Sequence, residues 1–353
     1  MTNPSPVPVF DGHNDVLSKL MREAPGDPVR QFRHSPSGAI DAKRATAGGF
    51  AGGLFAVWIP SPHTDGPNYG AMNDTHYDVP LPPEVPIADA FPLAKRQFVI
   101  AAALEQADLI RICTSVAEIE AAMAAGVIAC VLHIEGAEAI GPDLEALTDF
   151  HRVGLRSLGP VWSRPNRFGH GVPFRYPGTP DTGPGLTADG IRLVKACDAL
   201  NIMVDCSHIT EAGFWDIARH TSQPLVATHS NVHRLCATTR NLTDKQLDAI
   251  AERGGMVGLN FATAFLREDG RMLPDVPLTR LIEHLDALIE RLGEDHVGLG
   301  SDYDGAIVPQ DLTGVDGLPR LVDAMAAHGY DDALIKKLCH ANWLRALGIA
   351  WGE

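Results

Sequence analysis

The sequence is poor in cysteine and in basic residues, and it contains no long apolar run. Its six cysteines are scattered and form no C-x-x-C pair, which argues against both a disulfide framework and a cysteine zinc site. With 29 Lys and Arg against 44 Asp and Glu, the formal charge of −15 argues against nucleic acid or an anionic membrane as partner. No apolar stretch approaches the ~20 residues that span a bilayer, and the first residues show no secretory signal pattern. We therefore expect a cytoplasmic protein.

Eight near-continuous apolar runs recur along the 353 residues, and most of them are followed by a helical pattern. Continuous apolar character is typical of parallel strands that are covered on both faces. The predicted strands are Val7–Asp11, Gly53–Ile59, Val127–Ile134, Leu155–Trp162, Ile202–Ser207, Pro224–Thr228, Met256–Phe261 and Val297–Ser301. This alternation predicts an α/β fold, a (β/α)₈ TIM-type barrel, as a single domain over residues 1–353. The alternative is a doubly wound open sheet, but that fold usually has a glycine-rich phosphate turn after its first strand.

Two segments rich in proline and glycine interrupt the alternation, one at residues 60–92 and one at residues 165–185. They follow the second and the fourth predicted strands, so they leave the face of the barrel on which enzymes of this fold build their sites. Long loops at that face commonly act as lids or substrate walls. We therefore expect both segments to be inserted active-site loops.

Metal-ligand residue types occur repeatedly where the predicted strands end. His13 and Asp15 follow the first strand, and because they are two residues apart they point to the same side of an extended chain. The other strand ends carry His133 and Glu135, Asp205 and His208, His229, and Asp302 and Asp304. Any one of these residues could be a structural hydrogen-bonding group, but charged and imidazole side chains recurring on five apolar strands favour a metal centre.

The chemistry of this set favours zinc, because imidazole and carboxylate ligands suit that ion. More than four ligands exceed what one zinc ion takes, so the economical arrangement is two ions that share a bridging carboxylate. Such a pair deprotonates a bridging water at neutral pH and so produces a hydrolytic nucleophile. The sequence therefore predicts two Zn²⁺ ions per chain and a hydrolase acting on a carbonyl or phosphoryl centre.

From about Phe10 to Arg345 the chain resembles the membrane (renal) dipeptidase family of zinc dipeptidases, as a bacterial-type member of the amidohydrolase-like metal-dependent hydrolases. The motifs that carry the resemblance are Asp11-Gly-His-Asn-Asp15, His133-Ile-Glu-Gly136, Gly185-Leu-Thr-x-x-Gly190, Asp205-Cys-Ser-His208, Thr228-His-Ser230, Arg240-Asn241, Gly300-Ser-Asp-Tyr-Asp-Gly305 and Asn342-Trp-Leu-Arg345. The resemblance implies that His13 and Asp15 are ligands of one zinc ion and that His208 and His229 are ligands of the other. It implies that Glu135 bridges the two ions.

The resemblance also implies roles in catalysis and substrate binding. Asp302 matches the acidic residue beside the first zinc ion that handles the proton during hydrolysis, and Arg240 matches the arginine that binds the terminal carboxylate of the substrate. After the fourth strand the family usually has a histidine that polarises the scissile carbonyl, but this chain has Trp162 there. Indole offers one N–H donor and no charge, so it is not an equivalent group. His170, eight residues further on, is a candidate substitute.

These expectations describe a binuclear zinc dipeptidase in which a metal-bridging hydroxide attacks the peptide bond of a dipeptide with a free C-terminal carboxylate. One alternative is a related metal-dependent amide or lactone hydrolase that acts on another carbonyl substrate. Another alternative is a metal-dependent binding protein that has lost its activity, although the intact ligand set argues against this. The sequence leaves open whether the chain forms a homodimer.

Overall fold

The computed structural model describes residues 6–61 and 69–353, so part of the predicted insertion at residues 60–92 lies outside the described residues. In these ranges the strands are β1 (Val9–Asn14), β2 (Phe50–Trp58), β3 (Tyr77–Val79), β4 (Ile110–Ile112), β5 (Ile128–Glu135), β6 (Leu155–Gly159), β7 (Phe174–Tyr176), β8 (Met203–Val204), β9 (Val226–Ala227), β10 (Met256–Asn260) and β11 (Val297–Gly300).

The helices in the same ranges are α1 (Val16–Glu23), α2 (Pro28–Arg33), α3 (Ala42–Gly48), α4 (Ile87–Gln106), α5 (Val116–Ala124), α6 (Glu145–Arg152), α7 (Ala188–Ala199), α8 (Glu211–His220), α9 (Asp244–Glu252), α10 (Thr263–Leu266), α11 (Leu278–Leu292), α12 (Leu318–His328), α13 (Asp332–Lys336) and α14 (Asn342–Trp351). Short 3₁₀ helices occur at Tyr69–Asn73, Glu294–His296, Gln310–Leu312 and Val315–Gly317, and a π-helical segment at Lys337–Ala341 precedes α14. Among these described helices, none is both long enough and apolar enough to pass through a bilayer.

Eight parallel strands form a closed ring in the order β1-β2-β5-β6-β8-β9-β10-β11. Hydrogen bonds at two places close the ring between its two parallel sheets. The backbone N–H of Cys206 donates to Val226 O at 2.7 Å and joins β8 to β9. The N–H of Asp15 donates to Tyr303 O at 2.8 Å and joins β1 to β11. The predicted α/β barrel is therefore confirmed, and the doubly wound open sheet is wrong.

Each predicted strand overlaps one strand of this ring, but several ring strands are shorter than their apolar runs. The run from Ile202 to Ser207 contributes only Met203–Val204 to the ladder. Past Val204 the side chain of Asp205 also takes part in the bonding, because its Oδ1 accepts hydrogen bonds from the N–H groups of Ser207 and Thr228, at 2.9 and 2.8 Å. Apolar character continues past this point because the residues that follow remain buried inside the loops over the barrel end.

The interior of the ring is filled by alternating strand residues and by one tryptophan from the C-terminal helix. Val131, Met203, Val226 and Met256 belong to one buried apolar cluster with Trp343, whose indole N–H donates to Leu299 O at 2.8 Å. Other buried strand residues form a second apolar cluster with residues of the surrounding helices. The strands are apolar on both faces because one face meets this interior and the other meets the helices.

Three short strands were not among the predicted ones, and two of them join the predicted insertions. In β3 and β7, Tyr77 pairs with Tyr176 and Val79 with Phe174 in an antiparallel ladder. An ion pair of 2.9 Å between Asp78 and Arg175 lies beside this ladder. The third short strand, β4, pairs in parallel with the first residues of β5. The two segments that follow β2 and β6 therefore contact each other over the barrel.

Candidate active site

Three of the predicted metal ligands converge on a fourth, the carboxylate of Glu135, at the carboxyl ends of the ring strands. Glu135 is the last residue of β5, and its Oε1 lies 3.1 Å from His208 Nε2 and 3.4 Å from His229 Nε2. Its other oxygen lies 3.7 Å from His13 Nε2. His208 and His229 have their Nε2 atoms 3.0 Å apart. One oxygen of Glu135 thus faces two imidazoles, and its other oxygen lies nearest to the third.

The remaining two predicted ligands lie on the His13 side of Glu135. Asp15 Oδ2 is 3.4 Å from His13 Nε2, and ligand atoms of His13, Asp15 and Asp302 all lie within 4.8 Å of one another. Ligand atoms of His13, Glu135 and His229 also lie within 4.8 Å of one another. Five of the six predicted ligands thus form two groups that share His13, and His208 joins them through its contacts to Glu135 and His229.

The buried imidazoles respond to their surroundings in opposite directions. Burial, reinforced by the nearby charges of Arg240 and His13, lowers the pKa of His208 and of His229 well below the ordinary value. Burial would also lower the pKa of His13, but Glu135, Asp15 and Asp302 outweigh it and raise that pKa to about 10. His208 and His229 are therefore neutral, whereas the carboxylates around His13 stabilise a positive charge there. Such a site favours the binding of cations.

The donor set fits divalent ions, because buried ligand atoms of this cluster lack hydrogen-bond partners among the described residues. Both ring nitrogens of His13 are buried without one. Burial and the adjacent acids Asp15 and Asp302 raise the pKa of Glu135 well above its ordinary range. Concentrating three carboxylates in a buried site is unfavourable unless cations compensate. Bound ions would remove that cost and use the free imidazole nitrogens.

Hydroxyl groups orient two of the imidazoles from behind. Ser163 Oγ lies 2.8 Å from His208 Nδ1, and Thr228 Oγ1 lies 2.8 Å from His229 Nδ1. The Thr228 hydroxyl donates to Asp205 Oδ2 at 2.6 Å and therefore accepts from the imidazole. Such contacts fix the Nε2 of each ring as the atom that faces the site. No role for Ser163 or Thr228 was predicted from the sequence, since nothing local distinguishes a supporting hydroxyl from any other.

A cavity of about 530 Å³ opens beside the cluster, and Asp15, Glu135, His208 and Asp302 form part of its wall. Much of the remaining wall is aromatic and is built by Trp58, Tyr69, Trp162, Phe174 and Phe265. A volume of this size accommodates a small molecule rather than a protein chain. Burial raises the pKa of the Tyr69 phenol, and Asp302, Asp15 and Glu135 raise it further, so this hydroxyl remains a donor.

The three predicted substrate-binding residues are placed differently. Trp162 lines the cavity and packs edge-on against Trp58, with ring centroids 5.2 Å apart. Arg240 is 3% exposed and lies behind Phe265, whose ring centre is 5.3 Å from the guanidinium carbon. His170 does not line the cavity, and its Nδ1 is 3.4 Å from Gly185 O in the loop. The structure thus brings Trp162 to the cavity, places Arg240 one layer behind it and leaves His170 outside.

Sequence analysis missed several residues of the cavity wall. Lys19 and Arg22 line it from α1, four and seven residues after Asp15. That spacing puts them on the same helix face as Asp15 and could have identified them. Tyr69 lies in a predicted insertion, where no periodic pattern indicates which side chains face the site. Asn260 at the end of β10 was also missed, and it donates to Asp302 Oδ2 at 3.0 Å.

Comparisons with known proteins agree with this geometry. A family model described as membrane dipeptidase (peptidase family M19) matches residues 5–351. A metallopeptidase from Rhodobacter sphaeroides, solved with a phosphinate mimic of the dipeptide L-Ala-D-Ala, is 51% identical with a TM-score of 0.96, over 98% of this chain and 100% of that one. A second solved metallopeptidase of family M19, the dipeptidase AC, is 51% identical with a TM-score of 0.95, over 98% of this chain and 99% of its own. A protein from Klebsiella pneumoniae described as uncharacterized is 52% identical over 244 residues, 69% of this chain and 90% of its own.

Proposed function

The chain belongs to the membrane dipeptidase family of metallopeptidases, and from that membership we propose that it hydrolyses dipeptides that carry a free C-terminal carboxylate. The observation that carries the proposal is the cluster of three imidazoles and three carboxylates beside a small cavity, which four of these residues line. Long peptides would not fit a cavity of about 530 Å³ beside these residues.

We propose that two divalent ions, with zinc as the preferred metal, occupy the cluster. His13, Asp15 and Asp302 would hold one ion, His208 and His229 would hold the other, and Glu135 would contact both. Ions in such a pair supply an activated water and polarise the carbonyl group that it attacks. The neutral state of His208 and His229, which burial enforces, is the state that a metal requires of its imidazole ligands.

The proton transfers fall to Asp302 in this proposal. Its carboxylate would accept the proton of the attacking water and deliver it to the amine nitrogen that leaves. Burial, reinforced by the neighbouring charge of Asp15, raises the pKa of Asp302, which makes it a better proton acceptor than an exposed aspartate. The amide of Asn260 holds one of its oxygens and so fixes the direction of the other.

Recognition of the C-terminal carboxylate is proposed for Arg240. Burial lowers the pKa of Arg240 to about 10, so the guanidinium remains charged at neutral pH. It donates to His229 O at 3.1 Å, whereas its Nε is buried without a partner among the described residues. A planar guanidinium can hold a carboxylate through two parallel hydrogen bonds. Because Phe265 covers Arg240 on the cavity side, the contact requires the Phe265 side chain to move aside.

The size of the substrate is proposed to depend on Trp162. Its indole packs against Trp58 and Phe174 and lies 5.9 Å from the His208 ring, measured between centroids. A bulky side chain there leaves room for a small group beside the metal ligands. The relative from Rhodobacter sphaeroides was solved with a mimic of L-Ala-D-Ala, whose tetrahedral phosphorus resembles the carbon under attack. We therefore propose small dipeptides as substrates, including those with a D-residue at the C-terminus.

The experiment is an assay of the purified protein on L-Ala-D-Ala, on L-Ala-L-Ala and on their C-terminal amides, combined with metal analysis. We expect about two ions per chain, hydrolysis of at least one free acid, and slow or absent hydrolysis of the amides. Chelation should abolish the activity and added zinc should restore it. Full activity after exhaustive metal removal, or equal rates on acids and amides, would contradict the proposal. Simple lactones belong in the same panel, because Trp162 in place of a histidine also suits a more reactive carbonyl.

A further inference from the structure

We propose that Arg22 selects dipeptides that carry an acidic side chain, an inference that rests on the proposed dipeptidase function. Arg22 lies in the last turn of α1 and lines the cavity at its outer end. Asp15, at the start of the same helix, lies at the inner end among the proposed ligands. Seven residues of α-helix span ~10 Å along the axis, so Arg22 is about two turns further out than the reacting centre.

The charge of Arg22 is not neutralised within the part of the chain that the structure describes. Its Nε donates to Ser18 O at 3.4 Å, and no carboxylate of the described ranges lies within ion-pair distance of it. Its guanidinium carbon lies 6.0 Å from the centre of the Trp58 ring. Its positive charge offsets a part of the rise in the pKa of the Tyr69 phenol that burial and the nearby carboxylates cause. The guanidinium is therefore held at the aromatic wall, with its Nη groups available to a substrate.

The other cation of the cavity wall is already paired. The ammonium group of Lys19 lies 3.4 Å from Asp304 Oδ1 and 3.6 Å from Glu23 Oε1, and it donates to Ser37 O at 3.0 Å. Of the two cations on this face of α1, Arg22 is thus the one that can accept a new anion. A guanidinium also matches a carboxylate better than an ammonium group does, because two parallel hydrogen bonds can form.

Distance decides which carboxylate of a dipeptide reaches Arg22. Adjacent α-carbons are ~3.8 Å apart, so the C-terminal carboxylate of a dipeptide stays within about one residue of the scissile bond. With that bond at the metal ligands, the backbone carboxylate lies deep in the site, on the side proposed for Arg240. A glutamate side chain extends further from the backbone and can reach the outer turn of α1. The geometry therefore points to an acidic side chain rather than to the terminal carboxylate.

The test compares glutamate with its uncharged isostere at each position of the substrate. We measure kcat/KM for Glu-Ala against Gln-Ala and for Ala-Glu against Ala-Gln, with the C-terminal configuration that the parent protein accepts. In at least one pair the glutamate substrate should be preferred by about tenfold, the low end for a hydrogen bond to a charged group. Arg22→Gln should remove this preference, and Arg22→Glu should replace it with a preference for lysine at the same position. Arg30→Gln is the matched control, since Arg30 is an exposed arginine on α2 that does not line the cavity.

The outcomes separate this inference from the proposed function. A parent protein that cleaves neither Ala-Ala nor any of the four dipeptides refutes the dipeptidase function and the inference with it. A parent protein that cleaves Ala-Ala but none of the four refutes the inference alone. A parent protein that cleaves them without favouring glutamate in either pair refutes the inference alone. An Arg22→Gln variant that keeps the glutamate preference also refutes it, because some other group then binds the acidic side chain.

Discussion

At the scale of single residues, two of the proposed ligands have an unusual backbone conformation. His208 and Asp302 lie in the left-handed region, with φ of 65° and 61°. Asp and His enter this region more readily than most residues, yet such conformations typically cost ~1–3 kcal/mol and persist where surrounding contacts enforce them. The N–H of Asp302 donates to His13 O at 3.0 Å, and His208 O accepts from Val172 N–H at 2.8 Å. Backbone hydrogen bonds to β1 and to the loop after β6 thus hold the two residues in place at the cluster.

The first prediction at this scale concerns the proton-transfer role of Asp302. Asp302→Asn keeps the size of the side chain and one ligand oxygen but removes the base, so kcat should fall at least ~10²-fold, the lower range for general acid–base catalysis. Metal analysis should show that part of the metal is retained. Asp286→Asn, at an exposed aspartate on α11, should behave like the parent protein. Near-normal turnover of Asp302→Asn would show that another group moves the proton.

The second prediction concerns the hydroxyl behind His229. Thr228→Val preserves the shape of the side chain and removes the contact to His229 Nδ1. The imidazole then loses the partner that fixes its orientation, and the metal affinity should fall ~10–100-fold, as for other losses of a supporting contact. Titration calorimetry of the metal-free protein measures this, and excess zinc should restore most of the turnover. Thr46→Val, on the exposed surface of α3, is the control. An unchanged affinity would mean that packing alone orients His229.

At the scale of elements, the barrel interior is filled from one end by α14. Trp343 is fully buried, and its indole packs where the backbones of β1, β10 and β11 carry glycine. A Cβ added at Gly12 would lie 2.4 Å from the indole, and one added at Gly258 would lie 2.9 Å from it. Side chains at these strand positions would occupy the space that the tryptophan fills. Helix α14 therefore depends on glycines far away in the sequence.

A matched pair of alanine substitutions tests this packing. At Gly258 the new methyl group would lie 2.0 Å from Thr228 O as well as against Trp343, so Gly258→Ala should lower the free energy of unfolding by ~1–3 kcal/mol or more. At Gly348 in α14 the nearest atom is 3.4 Å away, so Gly348→Ala should stabilise the helix by up to ~1 kcal/mol. Chemical denaturation measures both changes. Equal effects of the two substitutions would mean that the close approach at Gly258 does not constrain the fold.

At the scale of the whole molecule, a buried histidine away from the cavity makes the stability depend on pH. His284 of α11 accepts a hydrogen bond from Val232 N–H at 3.3 Å and lies 3.1 Å from Leu266 O through its other nitrogen. Burial lowers the pKa of His284 to about 3. The folded chain thus holds this imidazole neutral, whereas the unfolded chain protonates it below a pKa of ~6.5.

Proton binding determines whether a fall in pH raises or lowers the stability of the protein. Between the two pKa values the unfolded chain binds more protons, so the contribution of His284 to stability is fully present above pH ~6.5 and is lost as the pH falls toward 3. At pH 5 the loss should reach ~2 kcal/mol. Unfolding measured at pH 7 and pH 5 should therefore show a smaller decrease for His284→Gln than for the parent protein. His328→Gln, at a half-exposed histidine, should leave the decrease unchanged, and the same result for both variants would exclude His284 as the cause.

The short strands β3 and β7 could not be predicted from the sequence, in contrast to the strands of the ring. The ring strands lie in long apolar runs of the sequence. Each run by itself indicates a buried strand, and the eight runs together indicate the barrel. The ladder of β3 and β7 joins segments about 100 residues apart, and its three-residue strands have no pattern of their own. Their pairing exists because both loops cover the same barrel end. It could not be inferred before the barrel itself was known.

The sequence by itself determined the barrel and placed the six residues of the cluster among the metal-ligand types at the strand ends, because strand ends are local features and parallel strands bring their carboxyl ends to one face. The resemblance to the dipeptidase family then selected these six from the larger set. Only the tertiary structure decided which other side chains reach the cavity. His170 lies in a loop whose path depends on contacts to Gly185 and Thr210, and these turn it away from the site. Arg240 lies behind Phe265, while Arg22 and Tyr69 face the cavity. Such placements follow from packing between distant segments, and residue type and spacing along the chain do not encode them.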